Sequence, residues 1–362
     1  MDVAIVGLER SGKSALFNAM TRGHARAGSF ASAEPNIGTV KIPDERLDKL
    51  CVIIPPKKIT YAEVRFLDFP GGLSVKGEGP AASYMAALAQ CDALSHVVRA
   101  FHDESVPHAA GSVDPERDIE TVNLELAFAD SAMLERRLEK LDTQTRSVRT
   151  GERGTFEREQ QLIERLRAGL DQEVPLRAQE LSADDRRTLS GYQLLTNKPL
   201  LIVLNIGEAD VTRMAEIEAE YADRWHGNGI EVAAVCAKLE EELSELSDEE
   251  AEEFRRDLGV TTSGLDRMLR LTQDALGLIT FFTVGEPEGR AWSLEAGSTA
   301  LEAAGKIHSD IARGFIRAEV TGCQDLLDTG SYAEARKRAL LRTEGKQYIV
   351  QDGDVLHVLF NI

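Results

Sequence analysis

The chain has 362 residues, of which 43% are hydrophobic and 28% are charged, and its formal net charge is −19 at pH 7. This composition is typical of a globular protein and excludes wholesale disorder and collagen-like repeats. No apolar run approaches the roughly 18 residues of a membrane span, and so acidic a chain does not coat nucleic acid by bulk attraction.

The N-terminal residues 1–7 carry an early acid and run directly into a strand-like segment. They lack the basic start and the cleavage site of a secretion signal. The four cysteines are widely spaced and form no CxxC pair, which indicates neither a zinc site nor a disulfide framework. We therefore expect a cytoplasmic protein with reduced, partly buried thiols.

Residues 1–130 and 197–276 alternate short apolar runs with helical patterns. Each apolar run is followed by a loop and a helix-like segment, which predicts buried parallel strands. The predicted strands are residues 3–6, 64–67, 94–98, 200–204 and 232–236. This alternation is typical of a doubly wound α/β domain with a mainly parallel sheet.

Residues 131–190 interrupt the alternation, with 12 acidic and 12 basic side chains among 60 residues. Leucines recur there at spacings of three and four, first at positions 134, 138 and 141 and again at 162, 166 and 170. This periodicity predicts two long amphipathic helices in an antiparallel hairpin that turns near residues 150–154.

The last zone, residues 277–362, predicts a small mixed sheet packed on one helix. The predicted strands are residues 281–284, 291–294, 315–320, 347–350 and 355–360, and the helix is 299–307. Asp352 and Gly353 form a turn signal between the last two strands. A local basic cluster consists of Arg336, Lys337, Arg338, Arg342 and Lys346.

A complete phosphate-binding loop, GxxxxGK[ST], follows the first predicted strand and precedes a helical segment. Its glycines allow backbone N–H groups to turn inward on phosphate oxygens at a helix N-terminus. Lys13 is expected to reach the β- and γ-phosphates, and Ser14 to ligate Mg²⁺. The predicted phosphate-binding residues are Gly7, Leu8, Glu9, Arg10, Ser11, Gly12, Lys13, Ser14 and Ala15.

Asp68 ends the second predicted strand and begins a DxxG motif that closes at Gly71. In switch-type NTPases, this aspartate holds Mg²⁺ through water, and the glycine amide senses the γ-phosphate. We expect the same roles here.

The residues after the strands at 200–204 and 232–236 predict the base-binding part of the site. GTPases carry Asn-Lys-x-Asp at the first place, and that aspartate accepts hydrogen bonds from two guanine donors that adenine lacks. Here the acid is one methylene longer and an isoleucine replaces the lysine, which puts guanine selection in doubt. The second place resembles the Ser-Ala-Lys loop that backs the base. The predicted base-binding residues are Asn205, Ile206, Glu208, Cys236, Ala237 and Lys238.

Segments across nearly the whole chain resemble the Obg-like ATPase family, YchF, within the translation-factor group of P-loop GTPases. The matching segments are residues 34–38 with 43–44, 76–79, 96–101, 113–115, 205–208 and 235–238. The C-terminal run, with residues 304–308, 314–320, 344–346 and 348–354, is the closest match of all. The resemblance implies a P-loop nucleotide-binding (G) domain over 1–130 and 197–276. It also implies an inserted helical hairpin domain over 131–196 and a C-terminal β-grasp (TGS) domain over 277–362.

The resemblance further implies how the family works. Its Asn-x-x-Glu element accompanies a preference for ATP over GTP, and its members are cytosolic and associate with ribosomes. For this chain we expect contact with the ribosome or ribosomal RNA through the TGS and helical domains. We expect no membrane contact and a monomer.

The chain departs from the family pattern in its phosphate-binding loop, where Glu9 and Arg10 replace the usual Pro and Asn. In related switch proteins, that asparagine helps to hold a potassium ion, which an arginine cannot ligate. Two placements of Arg10 remain open. Its guanidinium either neutralises developing charge, as an arginine finger in cis would, or points away as an exposed side chain.

Two further departures fall in the switch segments. Ser32 stands where the family has threonine, and it keeps the hydroxyl that can complete Mg²⁺ coordination. The distance from Asp68 to Lys76 is two residues shorter than usual, and no glutamine stands where a Ras-like enzyme orients its water. Leu73 is the candidate for the apolar residue that the family has there.

We therefore expect a switch in which ATP with Mg²⁺ orders the segments around Ser32 and Gly71, and slow hydrolysis releases the protein from a ribosomal surface. The alternatives are a GTPase of the same superfamily and a nucleotide-binding scaffold with little or no hydrolysis. The expected catalytic residues are Lys13, Arg10, Gly71 and Leu73, and the expected Mg²⁺ ligands are Ser14, Ser32 and Asp68.

Overall fold

The computed structural model describes residues 1–22, 35–69, 73, 82–147, 153–260 and 263–361. These residues form twelve strands and fourteen α-helices. The strands are β1 (Asp2–Val6), β2 (Asn36–Ile42), β3 (Ile59–Thr60), β4 (Ala62–Asp68), β5 (Ala93–Ala100), β6 (Leu200–Ile206), β7 (Ile230–Val235), β8 (Leu278–Val284), β9 (Gly289–Glu295), β10 (Phe315–Gly322), β11 (Arg342–Glu344) and β12 (Asp354–Phe360). The helices are α1 (Lys13–Thr21), α2 (Glu45–Ile53), α3 (Ala82–Ala89), α4 (Pro115–Ser147), α5 (Arg153–Leu170), α6 (Ala183–Leu189), α7 (Met214–Trp225), α8 (Ala237–Ser244), α9 (Asp248–Asp257), α10 (Gly264–Ala275), α11 (Ala300–Ile307), α12 (Ser309–Arg313), α13 (Cys323–Thr329) and α14 (Tyr332–Lys337).

The first sheet has the strand order β2-β4-β1-β5-β6-β7. The pairings from β4 through β7 are all parallel. Every residue of β6 is buried, because a parallel strand covered on both faces needs an almost continuous apolar sequence. The predicted doubly wound α/β fold is confirmed, and the carboxyl ends of the parallel strands meet at one edge of this sheet.

The hairpin helices α4 and α5 pack against each other around buried leucines that include Leu134, Leu141 and Leu166. Helix α4 begins at Pro115, well before the predicted change at residue 131. Its first turns pack Ile119 and Leu126 into the core of the first sheet. One helix therefore packs its first turns into the core of the first sheet and its later turns into the core of the hairpin. The charge density changes between these two parts, and this change does not coincide with the start of the helix.

The second sheet has the order β11-β10-β12-β8-β9-β3. Its pairings are antiparallel except for the parallel pairs β12–β8 and β3–β9, and α11 packs Ala300 and Ala304 against Phe281. The prediction of a strand at residues 347–350 was wrong. That segment makes only an isolated bridge between Ile349 and Thr299, and β11 pairs with β10 instead.

By its contacts the chain divides into two compact units, one of residues 1–38 and 65–271 and the other of residues 39–64 and 272–362. The sequence placed residues 39–64 with the nucleotide-binding domain. They belong to the second unit because α2 packs on β8 and β9, and β3 pairs with β9. The division into three domains stays a prediction.

All four cysteines are unpaired and buried. No helix in the described ranges is both long and apolar enough to span a membrane.

Candidate nucleotide-binding site

The phosphate-binding loop connects the buried strand β1 to α1 with an unusual backbone. Gly7 has φ 148° and Gly12 has φ 95°, a region that residues with a Cβ rarely adopt. A Cβ on Gly7 would lie 2.4 Å from the carbonyl oxygen of Val97, and one on Gly12 would lie 2.1 Å from Nδ2 of Asn205. Only glycine fits at both positions, so the motif is required by the geometry.

Lys13 opens α1 with its side chain folded over the loop. Its Nζ donates to the carbonyl oxygens of Gly7 at 3.1 Å and Leu8 at 2.8 Å. Burial lowers the pKa of Lys13, and the nearby charges of Asp68 and Glu9 raise it in part. The ammonium is therefore held inside the loop in which a phosphate would bind.

Asp68, at the carboxyl end of β4, lies beside the first turn of α1. The hydroxyl of Ser14 donates to its Oδ2 at 3.3 Å. Burial raises the pKa of Asp68, while Lys13 and the hydrogen bonds from Ser14 and Asn36 lower it. A carboxylate and a hydroxyl are oxygen ligands of the kind that Mg²⁺ prefers, so the residues present fit a Mg²⁺ ion.

Arg10 is exposed and has φ 64°. Its Nη1 donates to the carbonyl oxygen of Pro107 at 3.0 Å, in the segment that follows β5. The guanidinium is thus tethered beside the loop.

Leu73 is fully buried in the core of the first sheet. Its backbone N–H donates to the carbonyl oxygen of Gly7 at 3.3 Å, which places this residue next to the start of the loop. The predicted sites Ser32 and Gly71 lie outside the described residues.

Asn205 joins the phosphate-binding loop to the base-binding loop. Its Nδ2 donates to the carbonyl oxygen of Ser11 at 2.9 Å, and its Oδ1 accepts from the backbone N–H of Ala237 at 3.0 Å. Because the side chain is buried and both polar atoms bind backbone groups, Asn205 positions the two loops relative to each other.

The base-binding loops hold two charged side chains and a buried apolar one. Ile206 is buried at the end of β6. Glu208 follows it at the start of a 3-10 turn, Glu208–Arg213. Its Oε1 accepts from Nζ of Lys238, in the first turn of α8, at 3.1 Å, and both side chains are more than half exposed. Cys236, between β7 and α8, is buried.

The sequence reasoning missed Phe101 as a site residue. A Cβ on Gly207 would lie 3.6 Å from Cβ of Phe101, so Phe101 lies beside the base-binding loop. The guanidinium of Arg99 stacks on this ring with 4.4 Å between its carbon and the ring centroid, and it donates to the carbonyl oxygens of Phe101 and Asp103. The sequence signal that could have identified Phe101 is an aromatic residue directly after a predicted buried parallel strand.

The chain is similar to known proteins over its whole length. Residues 2–135 match a family model described as "50S ribosome-binding GTPase". Residues 278–361 match the model of the YchF GTPase C-terminal region, described as "Protein of unknown function (DUF933)".

Curated relatives named "Ribosome-binding ATPase YchF" include those of Bacillus subtilis and Escherichia coli O157:H7. The first is 41% identical and the alignment covers 100% of both chains. The second is 37% identical over 99% of this chain and 98% of the relative. The solved structure of the Schizosaccharomyces pombe YchF GTPase is 31% identical, with a TM-score of 0.86 over 99% of this chain and 97% of that one.

Proposed function

The chain belongs to the YchF family of P-loop nucleotide hydrolases, and we propose that it is a cytoplasmic switch that binds ATP, hydrolyses it slowly and associates with the ribosome. The observation that carries the proposal is the buried Lys13 inside the loop, with the Ser14–Asp68 pair beside it. Its curated relatives are named ribosome-binding ATPases.

The loop would bind the β- and γ-phosphates through its backbone N–H groups and Lys13. Ser14 and Asp68, with Ser32 as a further proposed ligand, would hold Mg²⁺, which when bound neutralises charge on these phosphates. Lys13 adds a positive charge that needs little reorganisation, because it is already desolvated within the loop.

The base would lie against Phe101 at the carboxyl ends of β5 and β6. The guanidinium of Arg99 stacks on this ring, and the buried Ile206 is apolar where GTPases have a lysine. The side chain available to accept hydrogen bonds from the base is that of Glu208. We propose ATP as the substrate in preference to GTP.

Hydrolysis would be slow because the candidate at the water-orienting position has no polar side-chain atom. Leu73 is apolar and fully buried, so it cannot orient water by hydrogen bonding. We propose that Arg10, tethered beside the loop, supplies positive charge in the transition state. We also propose that the Gly71 amide senses the γ-phosphate.

The proposed ribosome contacts are the helical hairpin domain (131–196) and the TGS domain (277–362). The test combines turnover with co-sedimentation on purified 70S ribosomes, in ATP and in ADP. We expect slow ATP turnover, faster with ribosomes, and more protein in the ribosomal pellet with ATP. The Lys13→Ala variant should lose ATP turnover, its stimulation by ribosomes and the ATP-dependent gain in sedimentation.

Two results would contradict the proposal. Turnover no greater than that of Lys13→Ala, with nucleotide-dependent sedimentation retained, would favour a scaffold that binds without hydrolysis. Faster turnover with GTP than with ATP would favour a GTPase.

A further inference from the structure

An ion pair bridges the two loops at the base-binding edge. Glu208 begins the turn after β6, and Lys238 lies in the first turn of α8, after β7. The two strands are parallel neighbours in the sheet. The backbone at Ala237, next to Lys238, is fixed by its hydrogen bond to Asn205. The pair therefore projects from two anchored strand ends.

The contact occupies only one of the two carboxylate oxygens. Nζ of Lys238 lies 3.1 Å from Oε1 of Glu208, and Glu242, one turn further along α8, is 3.9 Å from the same ammonium. A guanine bound as in GTPases donates from N1–H and from its 2-amino group, and so needs both oxygens of one carboxylate. Because the ammonium of Lys238 already contacts Oε1, guanine would have to compete with it for that oxygen, and Oε2 is left as an acceptor beside an ammonium donor.

This arrangement matches the edge of adenine. Adenine presents a donor, the amino group at C6, next to an acceptor, N1. Guanine in the same ring orientation presents an acceptor, O6, next to the N1–H donor. An acceptor oxygen beside an ammonium donor is complementary to the first order and opposed to the second.

We infer that Lys238 is a specificity-determining residue. With the base bound, Glu208 accepts from the 6-amino group of adenine and Lys238 donates to adenine N1. The inference rests on the proposed function, because it presumes that ATP binds in this loop. Lys238 acts in two ways, since it contacts N1 and also competes with guanine for Oε1 of Glu208.

The test is a double-mutant-type cycle that combines one protein variant, at Lys238, with one ATP analogue, altered at adenine N1. The Lys238→Met variant keeps the apolar stem and removes the ammonium. 1-Deaza-ATP replaces N1 of adenine by a C–H group and leaves the phosphates unchanged. Calorimetric Kd values are measured for ATP, 1-deaza-ATP and GTP with the wild-type protein and the variant.

For the wild-type protein we expect 1-deaza-ATP to bind about tenfold more weakly than ATP, the loss expected for one charge-assisted hydrogen bond. In Lys238→Met the two should bind equally. The variant should also lower the preference for ATP over GTP by about tenfold or more, because the ammonium no longer competes with guanine for Oε1 of Glu208. The matched control, Glu242→Gln, removes the second acidic neighbour and should keep the wild-type ratios.

Equal ratios of ATP to 1-deaza-ATP affinity in the wild-type protein and in Lys238→Met would overturn the inference and leave the proposed function intact. Failure of the wild-type protein to bind ATP would overturn the proposed function, and the inference with it. Lys238 is exposed, so the variant is expected to fold, and a thermal unfolding curve checks this.

Discussion

The side-chain amide of Asn205 donates to the backbone carbonyl of Ser11, 194 positions earlier in the chain, at 2.9 Å. Its oxygen accepts from the Ala237 amide at 3.0 Å. One buried side chain thus holds the phosphate loop and the base loop in a fixed relation.

Replacing Asn205 with alanine should weaken both the fold and ATP binding. The change leaves a buried carbonyl and a buried N–H without their partner, which costs about 1–3 kcal/mol for each group. We expect a lower free energy of unfolding in urea and a higher Kd for ATP. Asn18→Ala is the control, because among the described residues the Asn18 side chain makes one hydrogen bond, an exposed one to Glu241. Equal effects of the two variants would show that the bridge has no special role.

Replacing Gly12 with alanine should abolish tight ATP binding. The new methyl group would lie 2.1 Å from Nδ2 of Asn205, so either the bridge or the loop must move. We expect at least about a tenfold rise in the Kd for ATP, as for other overpacked sites.

Gly277→Ala is the control for Gly12→Ala, because it introduces backbone strain at a positive φ without a steric clash. Gly277 also has a positive φ, 63°, but no described atom lies within 4 Å of the place that the new methyl group would occupy. This variant should lose about 1–2 kcal/mol of stability and bind ATP normally. If Gly12→Ala bound ATP as well as this control, the close approach would be irrelevant to binding.

The free energy of unfolding should fall on acidification because His96 is buried in its neutral form. This residue is fully buried on β5, and neither ring nitrogen has a hydrogen-bond partner among the described residues. Burial, with a smaller effect of Lys13, lowers the pKa of His96 to about 3. The unfolded chain takes up the proton near pH 6.5, so the stability contributed by neutral His96 is present above that pH and is lost as the pH falls towards 3.

We expect the titration of His96 to lower the free energy of unfolding by about 2 kcal/mol between pH 6.5 and pH 5. Urea unfolding at the two pH values measures it as the difference between the wild-type protein and His96→Leu. The exposed His226, changed to leucine, is the control. The same loss on acidification in wild type and His96→Leu would contradict the assignment.

Arg10 should replace a monovalent cation in catalysis. Wild-type turnover is expected to be the same in sodium and in potassium buffers. The Arg10→Asn variant should be about tenfold slower in sodium, because positive charge at the loop is lost, and should be partly restored by potassium. Unchanged turnover and unchanged salt dependence in the variant would eliminate a catalytic role.

Local patterns were enough to predict the parallel strands and the phosphate loop. The continuous apolar run of β6 is a local signal of a buried strand, and the glycines at positions 7 and 12 are a local signal of the positive φ angles of the loop. The start of α4 at Pro115 was missed because helical periodicity continues across a change of core.

Relationships between distant segments could not be predicted in the same way. Phe101 meets Gly207, and Lys238 pairs with Glu208, only after strands far apart in sequence are aligned. Residues 39–64 belong to the second unit, in which Ile59 pairs with Gly289. No local sequence pattern predicts a pairing between segments so far apart in the chain.

The central claim is that this loop holds ATP in preference to GTP. Its most direct test is titration calorimetry of purified, nucleotide-stripped protein with ATP and with GTP, each with Mg²⁺. We predict that ATP binds at least about tenfold more tightly, because guanine places its O6 acceptor against the Glu208 carboxylate and its N1–H donor against the Lys238 ammonium. Equal affinities, or a preference for GTP, would contradict the account.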